Sequence, residues 1–395
     1  MKVLVLNCGS SSVKFGIINT SSNTEIIKGI CERLDSPETI LHWRYDQKNF
    51  SKKLPNASHK KAINVIVHLL DQLSTTPMAV GHRVVHGGEY FANSAIINDS
   101  VIKNITKCIS LSPLHNPTNL EGIYQCRKLL PNTPQVVVFD TAFHQTLPPR
   151  AHIYPIAWHL YLKEGIRRYG FHGTSHRFIA QKAAELMNKP IEDLALITAH
   201  LGSGCSATAI LGGISQDTTM GLTPLEGLMM GSRSGDVDPA LYDFLSNKLG
   251  WDIQRITKEL NYNSGLIGVS GISDDMRIVL QKAKEGHKRS EIAVEIFCYR
   301  LAKAIASLSV PLNRLDCLVF SGGIGENAPL IRKNVLQLLN LFNFSINDKR
   351  NAVNGKNSSG IITNDDSTVA MVIPTNEELM IAKDTANILA NYNTA

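Results

Sequence analysis

Two arginines stand on glycine-flanked stretches: Arg83 in Gly81-His82-Arg83-Val84-Val85-His86-Gly87-Gly88 and Arg233 in Gly231-Ser232-Arg233-Ser234-Gly235-Asp236. A lone arginine is ordinarily a surface residue. One within two residues of glycine is more often held near a ligand, because its fork matches carboxylate and phosphate bidentately. Asp140 closes the apolar run Val136–Phe139. Taken alone, a carboxylate there serves equally as a ligand or metal group at a strand end or as a cap of the next turn. His172 lies in Gly170-Phe171-His172-Gly173-Thr174-Ser175-His176. Between glycines it is not packed on a helix face, which favours a polar ligand over a core histidine. Three small-residue turns add backbone donors: Cys8-Gly9-Ser10-Ser11-Ser12 with Lys14 behind it, Leu201-Gly202-Ser203-Gly204-Cys205-Ser206, and Ser321-Gly322-Gly323-Ile324-Gly325-Glu326-Asn327. The N–H groups of such turns can converge on phosphate oxygens. The first alone reads as an ordinary tight hairpin; the three together favour a bound nucleotide.

The elements that must hold these residues are legible in outline. Val3–Leu6 and Val13–Ile18 are apolar runs on either side of the first turn, the pattern of a buried hairpin. The same grammar returns at Leu194–Ile210, where Gly9 aligns with Gly202, Ser10 with Ser203 and Asn7 with His200. Two such hairpins, each opening about half the chain, point to an internal duplication. Strands are expected at Met78–Val85, Gln135–Asp140 and Asp316–Ser321, and helices at His59–Ser74, Ser175–Asn188, Glu291–Ser309 and from Pro329 to about Phe342. Alternating strands and helices make the class α/β. The prolines at 148, 149 and 155 mark a linker near Leu147–Tyr154, and Asn347–Thr368 reads as a polar surface connection. A last helix is expected from Thr375-Asn376-Glu377-Glu378, with Thr375 as N-cap, Glu378 reaching back to complete a capping box and Glu377 left to face a site.

Composition narrows the classes. The chain has 395 residues, 43% hydrophobic and 19% charged, with 40 Lys+Arg against 34 Asp+Glu. That excludes a disordered or collagen-like chain. The net charge of +6, with no basic run longer than two residues, suits a small anionic ligand and argues against a nucleic-acid arm. Seven widely spaced cysteines without a Cys-x-x-Cys pair give neither a disulfide framework nor a zinc site, so a reduced cytoplasmic protein is expected. A run of four apolar residues, Val3–Leu6, precedes Asn7, short of the roughly 7–15 of a secretory signal, and no segment approaches the ~18 of a membrane span. The Gly-x-Gly-x-x-Gly fingerprint with a ribose acid, the P-loop and the protein-kinase motifs are absent.

Read together, these stretches resemble the acetokinase family of the sugar kinase/Hsp70/actin superfamily. The likeness runs nearly end to end, through Leu6–Lys14, Gly81–Gly88, Leu114-His115-Asn116-Pro117, Phe139–Phe143, Phe171–His176, His200–Gly204, Gly231–Asp236, Ser321–Asn327 and Pro374–Glu378. It implies an α/β fold of two duplicated ribonuclease H-like (actin-like ATPase) domains, residues 1–149 with 376–395 and residues 150–375, and an interdomain active-site cleft. It implies Mg2+, with Mn2+ as a substitute, ATP and acetate as substrates, ADP and acetyl phosphate as products, and a homodimer with neither nucleic-acid nor membrane partners.

The family's metal ligands fall on Asn7 and Glu377. Its ATP contacts fall on Lys14, on His200, Leu201, Gly202, Ser203 and Gly204, on Asp275, Met276 and Arg277, and on Gly323, Ile324, Gly325, Glu326 and Asn327. Its substrate arginine falls on Arg83 and its methyl pocket on Val85, Leu114, Phe171 and Pro224. Asp140 matches the residue usually named the acid/base; His172 and Arg233 match the transition-state stabilisers. Ser203 departs from the family's usual Asn, so a side-chain contact there is expected to be lost or bridged by water. A carboxylate nucleophile is already ionised at neutral pH, so Asp140 is expected to orient bound water or an arginine and not to move a proton. The rival readings are a kinase for propionate or butyrate, and a non-enzymatic ATP-driven module of the same superfamily.

Overall fold

The computed structural model describes residues 1–393 and divides the chain into two compact units, Met1–Gln145 with the chain from Asn376 onward, and Thr146–Thr375. Thr394 and Ala395, which the expected first domain includes, lie outside the described residues. The division falls just before the proline cluster. That cluster is part of the second unit: Pro149–His152 is a short helix, Thr146 Oγ1 donates to Ser215 O, and His152 Nδ1 lies 2.9 Å from Leu147 O.

The first unit is built on strands β1 (Lys2–Cys8), β2 (Ser12–Asn19), β3 (Thr24–Glu32), β4 (Ile40–Tyr45), β5 (Lys48–Lys53), β6 (Ala79–Val84), β7 (Ala95–Ile96) and β8 (Gln135–Phe139). They lie in the order β5-β4-β3-β2-β1-β6-β8-β7. β1 runs antiparallel to β2 and parallel to β6, which runs parallel to β8. Both faces of β1 are covered, which is why its apolar run does not alternate with polar residues. Leu4 and Leu6 pack with Ile63, Ile66 and Leu70 of the helix His59–Gln72, while Val3 and Val5 pack with Ile381, Ala382 and Leu389 of the final helix Glu377–Asn393. Gly81 permits that second contact, since a Cβ there would sit 2.5 Å from Thr385 Oγ1 and 2.8 Å from Ile381 Cγ2.

The second unit repeats the plan. Strands β9 (Ala195–Leu201), β10 (Cys205–Leu211), β11 (Ile214–Thr218), β12 (Cys317–Ser321) and β13 (Val369–Val372) lie in the order β11-β10-β9-β12-β13. β9 is antiparallel to β10 and parallel to β12, which is parallel to β13. Thus β1, β2, β6 and β8 correspond to β9, β10, β12 and β13. In register, Asn7 faces Lys14 across the first hairpin as His200 faces Ser206 across the second. The Asn347–Thr368 connection carries a short helix, Asp348–Ala352, and two isolated bridges.

One expected local feature is corrected. Asn376, not Thr375, caps the final helix: its Oδ1 accepts from Leu379 N at 2.9 Å and its carbonyl from Met380 N. Thr375 Oγ1 instead bonds Ser175 Oγ at 2.8 Å, and Glu378 pairs with Lys28 at 3.5 Å and does not reach back. Asparagine caps as well as threonine, so the frame slips by one residue while Glu377 keeps its place in the first turn.

Candidate active site

Three neighbouring parallel strands of the first unit end in chemistry. Asn7 is near the end of β1, Arg83 near the end of β6, and Asp140 follows β8, its N–H bonded to Val84 O. Carboxyl ends of parallel strands are where α/β sheets place ligands. Arg83 Nε donates to Asp140 Oδ1 at 3.0 Å and its Nη2 to Oδ2, a bidentate pair, while Nη1 donates to Asn7 Oδ1 at 3.1 Å. Burial alone would lower the Arg83 proton affinity, but Asp140, Glu377 and Glu378 outweigh it and raise it. Arg83 is a fixed cation with a fixed orientation.

Glu377 shares this environment. Burial, helped by Asp140 and Glu378 and opposed by Arg83 and Lys14, pushes its carboxyl up to about 7. Asn7, expected to reach a metal, has its amide oxygen on Arg83 instead. An amide oxygen keeps a second lone pair, so the two roles are compatible. Lys14, expected at the nucleotide, is exposed on β2.

Two asparagines not singled out in the sequence brace this cluster of the first unit. On the helix Asn116–Leu129, buried Asn119 accepts from Val85 N at 3.1 Å and donates to Cys8 O at 2.7 Å. Asn116 accepts from His86 N and donates to His86 O. The amides thereby tie down the ends of β1 and β6. Their signal was a pair of asparagines three apart at a helix start, where an amide can face a loop. Val85 is buried, whereas Leu114 is 60% exposed within its own unit's surface.

In the second unit the β9–β10 turn closes with Gly202 N on Gly204 O at 3.0 Å. A cavity of about 690 Å³ opens beside it, lined by Gly202, Ser203, Asp274–Arg277, Gly323, Ile324, Asn327 and Ala328. Most of the expected nucleotide residues therefore share one wall. Six do not line it, Lys14 and Gly204 among them. Leu201 is buried in the core, and Gly325 is buried too. His200 Nδ1 is bonded to Ser175 Oγ at 2.8 Å. Glu326 braces the loop: its Oε1 accepts from Gly322 N at 3.0 Å and Thr375 N at 3.2 Å. Asp275 caps the helix Met276–Lys284 and is held below the usual carboxylate range by its hydrogen bonds from Arg277. Gly322, at φ +76°, turns β12 into the helix Gly322–Asn327 against the Leu201 backbone, where a Cβ would meet atoms at 2.8 Å.

Gly204 is flanked by both expected stabilisers. Its Cβ position lies 3.4 Å from Arg233 Nη1 and 3.4 Å from His172 Nε2. His172 adopts φ +58°, left-handed for a non-glycine residue, at the N-cap of the helix Gly173–Met187. Such a backbone persists only where the surroundings over-determine it. His172 Nδ1 lies 2.8 Å from Ser206 Oγ, and its ring centre lies 4.4 Å from that of His200 with the planes tilted by 33°. Arg233 Nη1 donates to Pro224 O at 3.3 Å, and burial lowers its proton affinity. Among the described residues no carboxylate pairs with it. Phe171 is buried nearby in sequence and Pro224 half-buried.

The two sheets of like topology have the duplicated actin-like ATPase fold, and the chain is a phosphotransferase acting on a carboxyl group. More particularly, the chain belongs to the acetokinase family, whose model matches residues 2–383. The acetate kinase of Shewanella sp. (strain W3-18-1) is 49% identical over 392 residues, 98% of each chain. Among solved structures, a propionate kinase from Francisella tularensis subsp. tularensis SCHU S4 superposes with a TM-score of 0.94 at 45% identity, covering 98% of this chain and 99% of that one. The Porphyromonas gingivalis acetate kinase gives 0.92 at 39% identity, with 98% and 99% covered. The family acts on a carboxyl group and uses ATP/ADP as co-substrate. Among the described residues no helix is long and apolar enough to cross a membrane.

Proposed function

We propose that the chain reversibly transfers the γ-phosphoryl group of ATP to acetate, giving acetyl phosphate and ADP. The observation that carries this reading is Arg233: a half-buried guanidinium with no carboxylate partner among the described residues, set with His172 around the turn that borders the cavity. A desolvated cation of this kind awaits an anion.

The acceptor carboxylate is ionised at neutral pH and needs no base. One of its oxygens attacks the γ-phosphorus while the bond to the β–γ bridging oxygen breaks and ADP departs. Arg83 holds the nucleophile. Three of its five N–H donors serve Asp140 and Asn7, and the rest remain for the substrate. Asp140 accordingly acts by orienting Arg83. Arg233 and His172 face the equatorial phosphoryl oxygens, where charge spreads in the transition state. Two unit charges 4 Å apart repel by roughly 4 kcal/mol at an effective dielectric of about 20, which the Arg83 and Arg233 cations offset.

Mg2+, or Mn2+ in its place, fits this cluster of the first unit. Glu377 is a desolvated carboxyl of raised proton affinity, acceptor-only once a cation displaces its proton, and Asn7 offers an amide oxygen. Among the described residues no three His, Cys, Asp or Glu group to hold a metal, so water and phosphate oxygens would complete the shell. When bound, the ion supplies charge neutralisation along the phosphate chain. The family resemblance supports a cytoplasmic homodimer, checked by sedimentation.

The 45% identity to a protein named propionate kinase favours a second reading, a longer acyl acceptor. Hydroxylamine trapping of the acyl phosphate with acetate, propionate and butyrate tests both. A higher kcat/KM for acetate is expected; a higher value for propionate would transfer the assignment, and no trapped product with any of them would end it.

A further inference from the structure

We propose that Thr198, His176 and Ser206 form a proton-ordered chain that fixes His172 in the tautomer with its proton on Nε2, making them positioning residues for phosphoryl transfer. The proposal rests on the reading of His172 as a donor to the transferred group.

The order follows from counting protons. Thr198 on β9 is wholly buried, and among the described residues its hydroxyl has one hydrogen-bond partner, His176 Nδ1 at 2.8 Å. A hydroxyl carries a single proton, and leaving it undonated in a core is unfavourable. The Thr198 proton therefore goes to His176 Nδ1. A ring nitrogen that accepts is bare, so neutral His176 carries its proton on Nε2. That N–H donates to Ser206 Oγ at 2.8 Å. Ser206, also wholly buried, then donates its own proton to its other partner, His172 Nδ1 at 2.8 Å. His172 is left with its N–H at Nε2, the nitrogen that meets Gly204 beside Arg233.

The opposite order would strand the Thr198 proton in the core. It would also turn a bare Nε2 lone pair toward a phosphoryl oxygen, acceptor against acceptor. The chain thus presents a donor where the reaction needs one without requiring an imidazolium beside the Arg233 cation. The duplication sharpens the point, because Ser206 occupies the register position that Lys14 holds in the first hairpin.

Imidazole ¹⁵N NMR of the full chain labelled at histidine, without nucleotide, reads the tautomer directly, with His172 assigned by its loss in His172→Gln. Wild type is expected to show Nδ1 bare and Nε2 protonated. Ser206→Ala should admit the second tautomer and lower kcat about five- to tenfold, the worth of one hydrogen bond, with both KM values within about twofold. Ser206→Thr should restore both readouts. Thr198→Val, similar in shape but without the proton, should admit the second tautomer in proportion to its loss of kcat. A protonated Nδ1 in wild type overturns the proposal even if every variant fails to fold. So does Ser206→Ala with a single Nε2–H tautomer and full kcat. His172→Ala with undiminished kcat would instead sink the catalytic reading and leave the tautomer result standing.

Discussion

The first unit gathers its chemistry as opposed charges and the second as an uncompensated one. At the ends of β1, β6 and β8, Arg83 is locked by Asp140 and Asn7, with Glu377 and Glu378 acting on it. At the matching end of β9, hydroxyls and imidazoles are linked by hydrogen bonds, and among the described residues Arg233 donates to a carbonyl and a thioether. One sheet plan therefore carries two electrostatic designs. A monoanionic carboxylate wants a pre-aimed donor whose charge is already balanced, so that binding is directional and modest. A polyphosphate wants unpaired positive charge and backbone N–H groups.

The largest expected effect lies on the uncompensated side. Arg233→Ala should cut kcat by about 10³–10⁵-fold while changing acetate KM little. A loss confined to acetate KM would erase the contrast between the two centres.

On the paired side the effect is on folding as much as on rate. Asp140→Asn leaves the Arg83 charge unbalanced in a largely buried site, so a loss of about 3–5 kcal/mol is expected in urea unfolding. An unchanged midpoint would mean that the pair is not formed in solution.

The first unit should also lose stability in acid. Burial lowers His82 from 6.5 to about 4, partly offset by its bond to Gln135, and burial also lowers His86 to about 4. A histidine kept neutral in the fold but protonated when unfolded stabilises fully above pH 6.5. That stability is lost as pH falls from 6.5 toward 4. The urea midpoint should drop across this window, and His82→Asn should flatten part of the drop. A wild-type midpoint constant from pH 7 to 4.5 contradicts the assignment.

The smallest effect concerns specificity. Val85→Ala enlarges a buried position at the end of β6 and should raise propionate over acetate about tenfold in kcat/KM, within the range of a single methylene. No change would move the acyl pocket elsewhere.

Much of this contrast was legible in the sequence. The duplicated hairpins were visible because a buried strand broken by glycine and serine is a local pattern, and Gly9 and Gly202 mark the same turn. Arg83, Asp140, His172 and Arg233 stood out because each lies in or beside a glycine loop or a strand end. What stayed hidden depends on pairing across long separations. Nothing local says that Asp140 grips Arg83, that Asn119 ties Cys8 to Val85, or that Thr198 and Ser206 bracket His176. The cap at Asn376 was misplaced because Thr375 is an equally good capping type until Ser175 takes its hydroxyl. Glu326 was expected at the nucleotide because it sits in the glycine loop; that its Oε1 accepts from two backbone N–H groups was not visible there.

The central claim is that each anion has its own arginine, and steady-state kinetics of Arg83→Ala test it most directly. Acetate KM should rise by at least about tenfold, as expected for a lost charge-assisted bidentate contact, while ATP KM stays near wild type. An acetate KM that does not move, or an ATP KM that rises in its place, would contradict the account.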